Sequence, residues 1–158
     1  MAGHILLLSI RPEHAFKIFD GSKKVELRRV RPKVSAGDSV LVYVSTPVRA
    51  LVGAFDVERV VEARPQALWD QVKETAGITR EQFDSYYSGA ANAYGIVVGQ
   101  VRQLPEPVML YRLRKLFSGF HPPQSYRYLS PTEAAAINLK SHEIMKNYLL
   151  QKMPASIR

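Results

Sequence analysis

Along the chain, apolar residues either alternate with polar ones or recur every three to four residues. The first pattern predicts strands, and the second predicts helices between them. The run Ile5–Ile10 is short and continuously apolar, which predicts a buried strand. Pro12 suits the first turn of a helix, and apolar residues then recur at three- and four-residue spacing as far as Gly21, where the helix is expected to end. Beyond Gly21 the pattern alternates, with Val25 and Leu27 on one face, which predicts a half-exposed strand.

The rest of the first hundred residues continues this mixture of strands and short helices. Runs of β-branched and aromatic residues predict strands at 39–45, 50–61 and 93–101, with Gly53 as the site of a bulge. Apolar residues at helical spacing predict helices at 65–76 and after Thr79, which heads a capping sequence. Because strict alternation of strand and helix is missing, we expect an α+β fold built on a small mixed β-barrel with flanking helices.

The last third of the chain is interrupted by proline. Four prolines between residues 104 and 128 predict an irregular arm with a short strand near 108–111. Ser130 opens a capping box and a short helix, and a second helix is expected over 141–152. We therefore predict a barrel domain at 4–118 and, at 119–158, an arm and C-terminal helices packed on the barrel. A helix-turn-helix is the alternative, but such units usually contain a third helix.

Composition narrows the class of protein. The 158 residues include no cysteine, which excludes disulfides, a thiolate nucleophile and a zinc–thiolate site. No apolar run approaches the ~20 residues of a membrane-spanning helix, and Ile5–Ile10 is too short for a signal peptide. We expect a cytoplasmic protein without a membrane partner.

The charge distribution indicates a polyanionic partner. The chain has 22 basic and 14 acidic residues, a formal net charge of +8. Between residues 23 and 33 a single acid, Glu26, stands among six basic residues: Lys23, Lys24, Arg28, Arg29, Arg31 and Lys33. Because phosphate contacts supply affinity in nucleic-acid binders, RNA or another nucleic acid is the expected partner. The sequence leaves protein partners and the oligomeric state open.

The basic stretch also contains a recognisable motif. Residues 21–28 read Gly-Ser-Lys-Lys-Val-Glu-Leu-Arg and match GxKxxExR at every fixed position, directly after a predicted strand and helix. Over residues 5–101 the chain therefore resembles the ASCH (activating signal cointegrator homology) domains, a branch of the PUA-like superfamily. The resemblance implies a β-barrel whose cleft is lined by the motif and binds RNA or a modified nucleotide. It also implies possible roles in transcriptional regulation or as a protein-interaction adaptor.

The same resemblance implies an enzymatic alternative. A few small ASCH proteins hydrolyse the amide of N4-acetylcytidine, and ribonuclease activity has been attributed to others. In the amide-hydrolysing branch a threonine stands where this chain has Glu26, and a lysine at the position of Lys23 activates it. The hydroxyl is absent here, and we expect Lys23 to be paired with Glu26 and hard to deprotonate. Catalysis by Lys23 and Glu26, with Glu81 as a second carboxylate, is therefore the alternative to binding.

Candidate ligand contacts follow from strand parity and residue chemistry. Glu26 and Arg28 fall on one face of the predicted strand, and Lys23 can turn to the same side. We expect Lys23 and Arg28 to contact phosphate and Glu26 to orient them or to accept a hydrogen bond from a base amine. Further nucleic-acid contacts are predicted for the rest of the basic stretch and for four other residues: Ser45, Tyr126, Arg127 and Tyr128.

No metal or cofactor is expected. The four histidines, at positions 4, 14, 121 and 142, are scattered and lack the short spacing of metal ligands. A glycine-rich phosphate loop and a Gly-x-Ser-x-Gly elbow are both absent from the sequence.

Overall fold

The computed structural model describes residues 5–137 and Ser156. The strands in this part of the chain are β1 (Ile5–Ile10), β2 (Val25–Arg28), β3 (Ser39–Val44), β4 (Ala50–Ala63), β5 (Ala93–Met109) and β6 (Tyr126–Tyr128). The helices are α1 (Pro12–Asp20), α2 (Pro65–Val72), α3 (Arg80–Tyr86) and α4 (Leu110–Leu116), and residues 131–137 form a further helical segment.

The strands form one curled half-barrel sheet in the order β2-β5-β4-β3-β1-β6. β1 and β3 are parallel, and the other neighbouring pairs are antiparallel. The sheet is therefore mixed, and the predicted α+β class is confirmed. The opening strand, helix and strand are confirmed as well.

β1, which is apolar except for Ser9, is covered on both faces. Leu6 and Leu8 enter the main core together with Ile18 of α1, while Leu7 enters a second core with Phe120 and other residues. Burying a leucine side chain contributes about 1.5 to 3 kcal/mol, so both faces help to hold this strand in place. A third core fastens β2 to α2 and α3 and is formed mainly by Val25, Leu27, Leu68, Val72, Phe83 and Tyr87.

The region predicted to be an irregular arm is more regular than expected. β5 continues through Pro105 and Pro107 as far as Met109, and α4 follows it immediately. The prolines fit because the β4–β5 register shifts between Leu51 and Gly53, so that residues 104–107 lie in a bulge. A bulge leaves residues without ladder partners, and proline has no backbone N–H to pair there. The predicted bulge near Gly53 is confirmed.

The end of the arm adds the last strand to the sheet. β6 pairs antiparallel with β1, opposing Tyr128 to Leu6. The capping box at Ser130 is confirmed, because its hydroxyl accepts from the Glu133 N–H at 3.1 Å and its own N–H donates to the Glu133 carboxylate at 3.1 Å. The expected helix over 141–152 and the helix-turn-helix alternative lie outside the described residues, and the division at residue 118 stays a prediction.

No helix in the described part of the chain is long and apolar enough to cross a membrane.

Candidate nucleic-acid interface

A cleft of about 750 Å³ opens beside the GxKxxExR motif, and we call it the motif cleft. The end of β1, the first turn of α1, β2, α3 and the arm residue Gln124 form its walls. Three basic and three acidic side chains line it: Arg11, Lys23 and Arg28, and Glu13, Glu26 and Glu81. The cleft is therefore polar but balanced in charge.

A sharp reversal after α1 turns Lys23 toward the interior. Gly21 takes a left-handed conformation with φ of 86° and ends the helix, which suits a residue without Cβ. The Asp20 carboxylate accepts the Ser22 N–H at 2.8 Å, and the Lys23 N–H donates to the Lys17 carbonyl at 2.9 Å. These bonds fix the entrance to β2 and the direction of the Lys23 side chain.

Lys23 is one of the few buried charged side chains among the described residues, with 3% of its surface exposed. Its Nζ donates to the Ala76 carbonyl oxygen at 2.6 Å. Burial lowers the pKa of Lys23, and the nearby Glu26 carboxylate opposes that shift only in part. The expected Lys23–Glu26 pair is therefore corrected: Glu26 pairs with Arg28, and Lys23 is held by a backbone carbonyl.

Glu26 and Arg28 form an ion pair inside the cleft. Glu26 Oε1 lies 3.2 Å from an Arg28 terminal nitrogen, and the side chains are 9% and 12% exposed. The Arg28 guanidinium also donates to Ser125 Oγ at 3.0 Å and to the Ser9 carbonyl at 3.5 Å. Alternation along β2 sends Val25 and Leu27 to the third core and these two charged side chains to the cleft.

Several polar atoms of the motif cleft have no hydrogen-bond partner. Four buried side-chain polar atoms among the described residues lack one, and three belong to cleft residues: His14 Nδ1, Glu26 Oε2 and Arg28 Nε. An unsatisfied buried donor or acceptor costs about 1 to 3 kcal/mol. Native proteins rarely retain such groups together without a use for them. The three atoms are buried, so a ligand or water can complete their bonding only where a side-chain shift exposes them.

His14 and Tyr86 are cleft residues that the sequence did not single out as contacts. Burial and the Lys23 charge lower the pKa of His14, which keeps the imidazole neutral. Tyr86 is 40% exposed, and its hydroxyl donates to the Leu27 carbonyl at 3.3 Å. Tyr87 meets it edge-on with ring centroids 4.8 Å apart. The sequence signal for each was its position: His14 lies in the first turn of the helix that follows β1, and Tyr86 lies at the end of α3.

The remaining residues of the basic stretch lie outside the cleft lining. Lys24 and Lys33 are exposed, and Arg31 pairs with Glu62 on β4. Arg29 donates to the carbonyls of Tyr86 and Ser88 at 2.8 and 3.1 Å, which ties β2 to the end of α3. Their contacts with a nucleic acid stay predictions.

The arm residues make contacts within the protein. Tyr126 and Tyr128 are half-buried against the main core, and their rings meet edge-on at 5.8 Å. Arg127 pairs with Glu133 and lies over the Phe120 ring at 5.1 Å. Their base-stacking role stays a prediction. Ser45 lines a second, smaller cavity next to the motif cleft.

Within residues 5–137 and Ser156, no three histidine, cysteine, aspartate or glutamate side chains are grouped so that they could hold a metal ion.

The curled mixed sheet and its flanking helices define a half-barrel protein of the mixed α+β class. The model of the ASCH domain family matches residues 8–106, and the chain belongs to that family. It is 28% identical over 127 residues to an "ASCH domain-containing ribonuclease" of Zymomonas mobilis, which covers 80% of this chain and 85% of the relative. The crystal structure of ASCH from Zymomonas mobilis superimposes with a TM-score of 0.81 at 26% identity, covering 85% and 94% of the two chains.

Another relative is much longer than this chain. The chain is 28% identical over 117 residues to the large ribosomal subunit protein uL22 of Ureaplasma parvum. The match covers 73% of this chain but 38% of that protein.

Proposed function

We propose that this protein binds RNA, or another single-stranded or modified nucleic acid, with a nucleobase in the motif cleft. The observation that carries the proposal is the group of buried, unpartnered polar atoms on His14, Glu26 and Arg28. The net charge of +8 and a relative that is named a ribonuclease support a nucleic acid as the ligand.

The charge balance of the cleft favours a base over a phosphate at its centre. Arg28 is already neutralised by Glu26, and a phosphodiester anion would have to compete with the carboxylate. A base edge fits better, because Glu26 Oε2 accepts an N–H donor and Arg28 Nε donates to a base acceptor. Lys23 keeps donor capacity beyond its bond to Ala76, since an ammonium has three N–H groups.

The aromatic wall of the cleft provides a stacking surface. Tyr86 is held by its hydroxyl and by Tyr87, so little side-chain entropy is lost when a base stacks on the ring. Base–aromatic stacking contributes about 1 to 3 kcal/mol per base and tolerates any sequence. Exposed basic residues near the motif, including Lys24 and Lys33, then contact phosphates and make binding dependent on salt.

The test is the affinity of fluorescein-labelled single-stranded RNA, measured by anisotropy over a series of salt concentrations. Arg28→Gln is expected to weaken binding at least tenfold, because it removes a cleft donor and breaks the pair with Glu26. Arg102→Gln is the matched control, since Arg102 also pairs with a carboxylate but lies outside the cleft lining. We expect it to change affinity less than twofold. Absence of RNA and DNA association at low salt, or equal losses in both variants, would overturn the proposal.

Ribonuclease activity is a second candidate, favoured by the name of the Zymomonas relative and by the lowered pKa of Lys23. In such a reaction the ribose 2′-oxygen attacks the adjacent phosphorus and the bond to the 5′-oxygen breaks, which gives a 2′,3′-cyclic phosphate and a 5′-hydroxyl. A base must accept the 2′-hydroxyl proton and an acid must supply one to the 5′-oxygen. Lys23 and Glu26 are the titratable pair of the motif that could perform these transfers.

Turnover separates the enzyme from the binding module. A ribonuclease of this kind cleaves RNA and leaves the 2′-O-methyl analogue intact, and Glu26→Gln removes cleavage while binding is kept. Incubation with N4-acetylcytidine in the same series tests the amide-hydrolysis alternative by mass spectrometry. If the purified protein turns over neither substrate while it binds RNA, the enzymatic candidates are rejected and a regulatory binding role is retained.

A further inference from the structure

A second cavity of about 380 Å³ lies beside the motif cleft. It is bounded by the end of β3, the β3–β4 turn, α4 and the arm at Pro122–Gln124. Its polar lining includes Ser45 and Thr46 of the turn, Tyr43 of β3, and two arginines, Arg49 and Arg114.

The charge of this cavity contrasts with that of the motif cleft. Among the described residues, Arg49 and Arg114 are its two charged lining residues, and no carboxylate lines it. Neither arginine forms an ion pair within the part of the chain that the structure describes. Both guanidinium groups act on the buried Tyr43 hydroxyl, lowering its pKa against the larger rise that burial causes. The two arginines therefore converge on one place.

Arg49 occupies an unusual backbone conformation. Its φ is 53°, and it has the single positive φ of a non-glycine residue among the described residues. A bulky side chain in this region is uncommon, and such positions cluster at functional sites. The Arg49 carbonyl accepts the Leu110 N–H at 3.0 Å, which anchors the turn to the start of α4 and brings Arg49 toward Arg114. Glycine would relieve the backbone there but would remove the cation.

The two cavities are adjacent. Ser9 and Gln124 line both of them. The Ser9 hydroxyl donates to the Pro123 carbonyl at 2.5 Å, so the shared wall is fixed to the arm. A ligand that extends beyond the motif cleft at Ser9 and Gln124 would therefore lie next to the second cavity.

We propose that Arg49 and Arg114 form a phosphate subsite for a second nucleotide, so that the ligand is an oligonucleotide rather than a free nucleoside or mononucleotide. The inference rests on the proposed function, because the first nucleotide occupies the motif cleft. Among the described residues the two guanidinium groups form no ion pair and no acid lines the cavity, although Arg49 hydrogen-bonds the Tyr43 hydroxyl. They suit a phosphodiester, which arginine can grip through two parallel hydrogen bonds. The charge-balanced cleft then receives the base.

The experiment compares an unlabelled nucleoside monophosphate, the corresponding dinucleotide and a hexanucleotide in competition with labelled RNA. We expect the wild-type protein to bind the dinucleotide at least tenfold more tightly than the monophosphate. The double variant Arg49→Gln, Arg114→Gln is expected to lose this gain and to keep its affinity for the monophosphate within twofold. The loss of one phosphate contact should also reduce the slope of log affinity against log salt concentration by about 0.7 for single-stranded RNA.

Matched variants separate a subsite from a general loss of charge. Arg112→Gln removes an exposed arginine from the same helix, α4, at a position outside the cavity lining, and is expected to have little effect. Arg49→Gly relieves the backbone, so we expect an unchanged or higher melting temperature together with weaker dinucleotide binding, which excludes misfolding as the cause.

Each other outcome is decisive. Equal affinity for monophosphate and dinucleotide in the wild-type protein rejects the subsite and leaves the proposed function standing. Equal losses in Arg112→Gln and in the double variant also reject it, because the effect would then be that of net charge. Failure of all three ligands to bind rejects the proposed function itself.

Discussion

Two arginine–carboxylate pairs on the same sheet differ in how completely they are bonded. Arg102 and Asp56, on the paired strands β5 and β4, make two hydrogen bonds of 2.9 Å, and their side chains are 46% and 35% exposed. Arg28 and Glu26, on β2, meet at a single distance of 3.2 Å with side chains 12% and 9% exposed. The exposed pair is bidentate, whereas the buried pair leaves Glu26 Oε2 and Arg28 Nε without partners.

Stability alone would favour the opposite arrangement. Burying charges is costly unless their geometry is good and every donor and acceptor is used, while exposed pairs contribute only about 0 to 1 kcal/mol however well they are bonded. The incomplete bonding therefore occurs where it costs most. A ligand that completes those bonds gives a physical reason for keeping the pair in the cleft.

The largest expected effect is that of removing the buried carboxylate. Glu26→Ala leaves the buried Arg28 without its ion-pair partner, and we expect the free energy of unfolding to fall by about 3 to 5 kcal/mol. Urea denaturation followed by circular dichroism measures the change. The double variant Glu26→Met, Arg28→Met removes both charges and is expected to recover most of the loss. If the double variant is no more stable than Glu26→Ala, lost packing rather than an uncompensated charge is the cause.

Lys23→Met removes another buried charge from the cleft, and we expect the free energy of unfolding to rise by about 1 kcal/mol at pH 7. The gain arises because burial penalises the ammonium, and it is reduced because the Ala76 carbonyl loses its donor. The pKa of Lys23 is lowered from 10.5 in the folded state, so the unfolded state binds more protons between the two pKa values. Wild-type stability therefore rises with pH across that window.

The pH dependence of the stability difference between the two proteins shows whether the Lys23 charge is its cause. The advantage of Lys23→Met should be fully present below the folded-state pKa and should shrink as pH rises toward 10.5. Denaturation at several pH values between 7 and 10 provides the profile. An advantage that stays constant over this range would mean that the lysine charge is not the source of the difference.

The sequence predicted the fold better than the site because strands and helices follow from local periodicity. Alternation in β2 correctly placed Glu26 and Arg28 opposite Val25 and Leu27. Prolines misled the reading of β5, because a bulge that accommodates them depends on the register of a strand some fifty residues away.

Which charges pair was decided by contacts distant in sequence. The carbonyl that holds Lys23 belongs to Ala76, and the hydroxyl that steadies Arg28 belongs to Ser125. His14 and Tyr86 join the motif only in the folded protein, where α1 and α3 both border the cleft. Spacing along one strand contains no information about such partners, so the expected Lys23–Glu26 pair was wrong although both residues line the cleft.

His14 provides a smaller and pH-dependent test of the cleft. Its pKa is lowered from 6.5, chiefly by burial and then by Lys23, whereas Glu26 and Glu13 oppose the shift and Lys17 adds to it. The unfolded state therefore protonates first as pH falls below 6.5, and the wild-type protein loses stability until the folded-state pKa is passed. His14→Gln lacks this loss. Denaturation of both proteins at pH 7.5 and 5.5 should show a larger fall in the free energy of unfolding for the wild type. Equal falls would show that protonation of His14 does not cause the loss of stability.

The smallest expected effect belongs to the exposed pair and completes the comparison. Arg102→Ala breaks two hydrogen bonds to Asp56, yet water solvates the freed carboxylate, so the free energy of unfolding should change by about 0 to 1 kcal/mol. The pKa of Asp56 is lowered mainly by its hydrogen bonds to Arg102, so the contribution of the pair is present at neutral pH and lost in acid as the carboxyl protonates. Urea denaturation at pH 7 measures the change beside Glu26→Ala. A loss as large as that of Glu26→Ala would show that burial does not distinguish the two pairs, and the unfilled bonds of the cleft would no longer require a ligand to explain them.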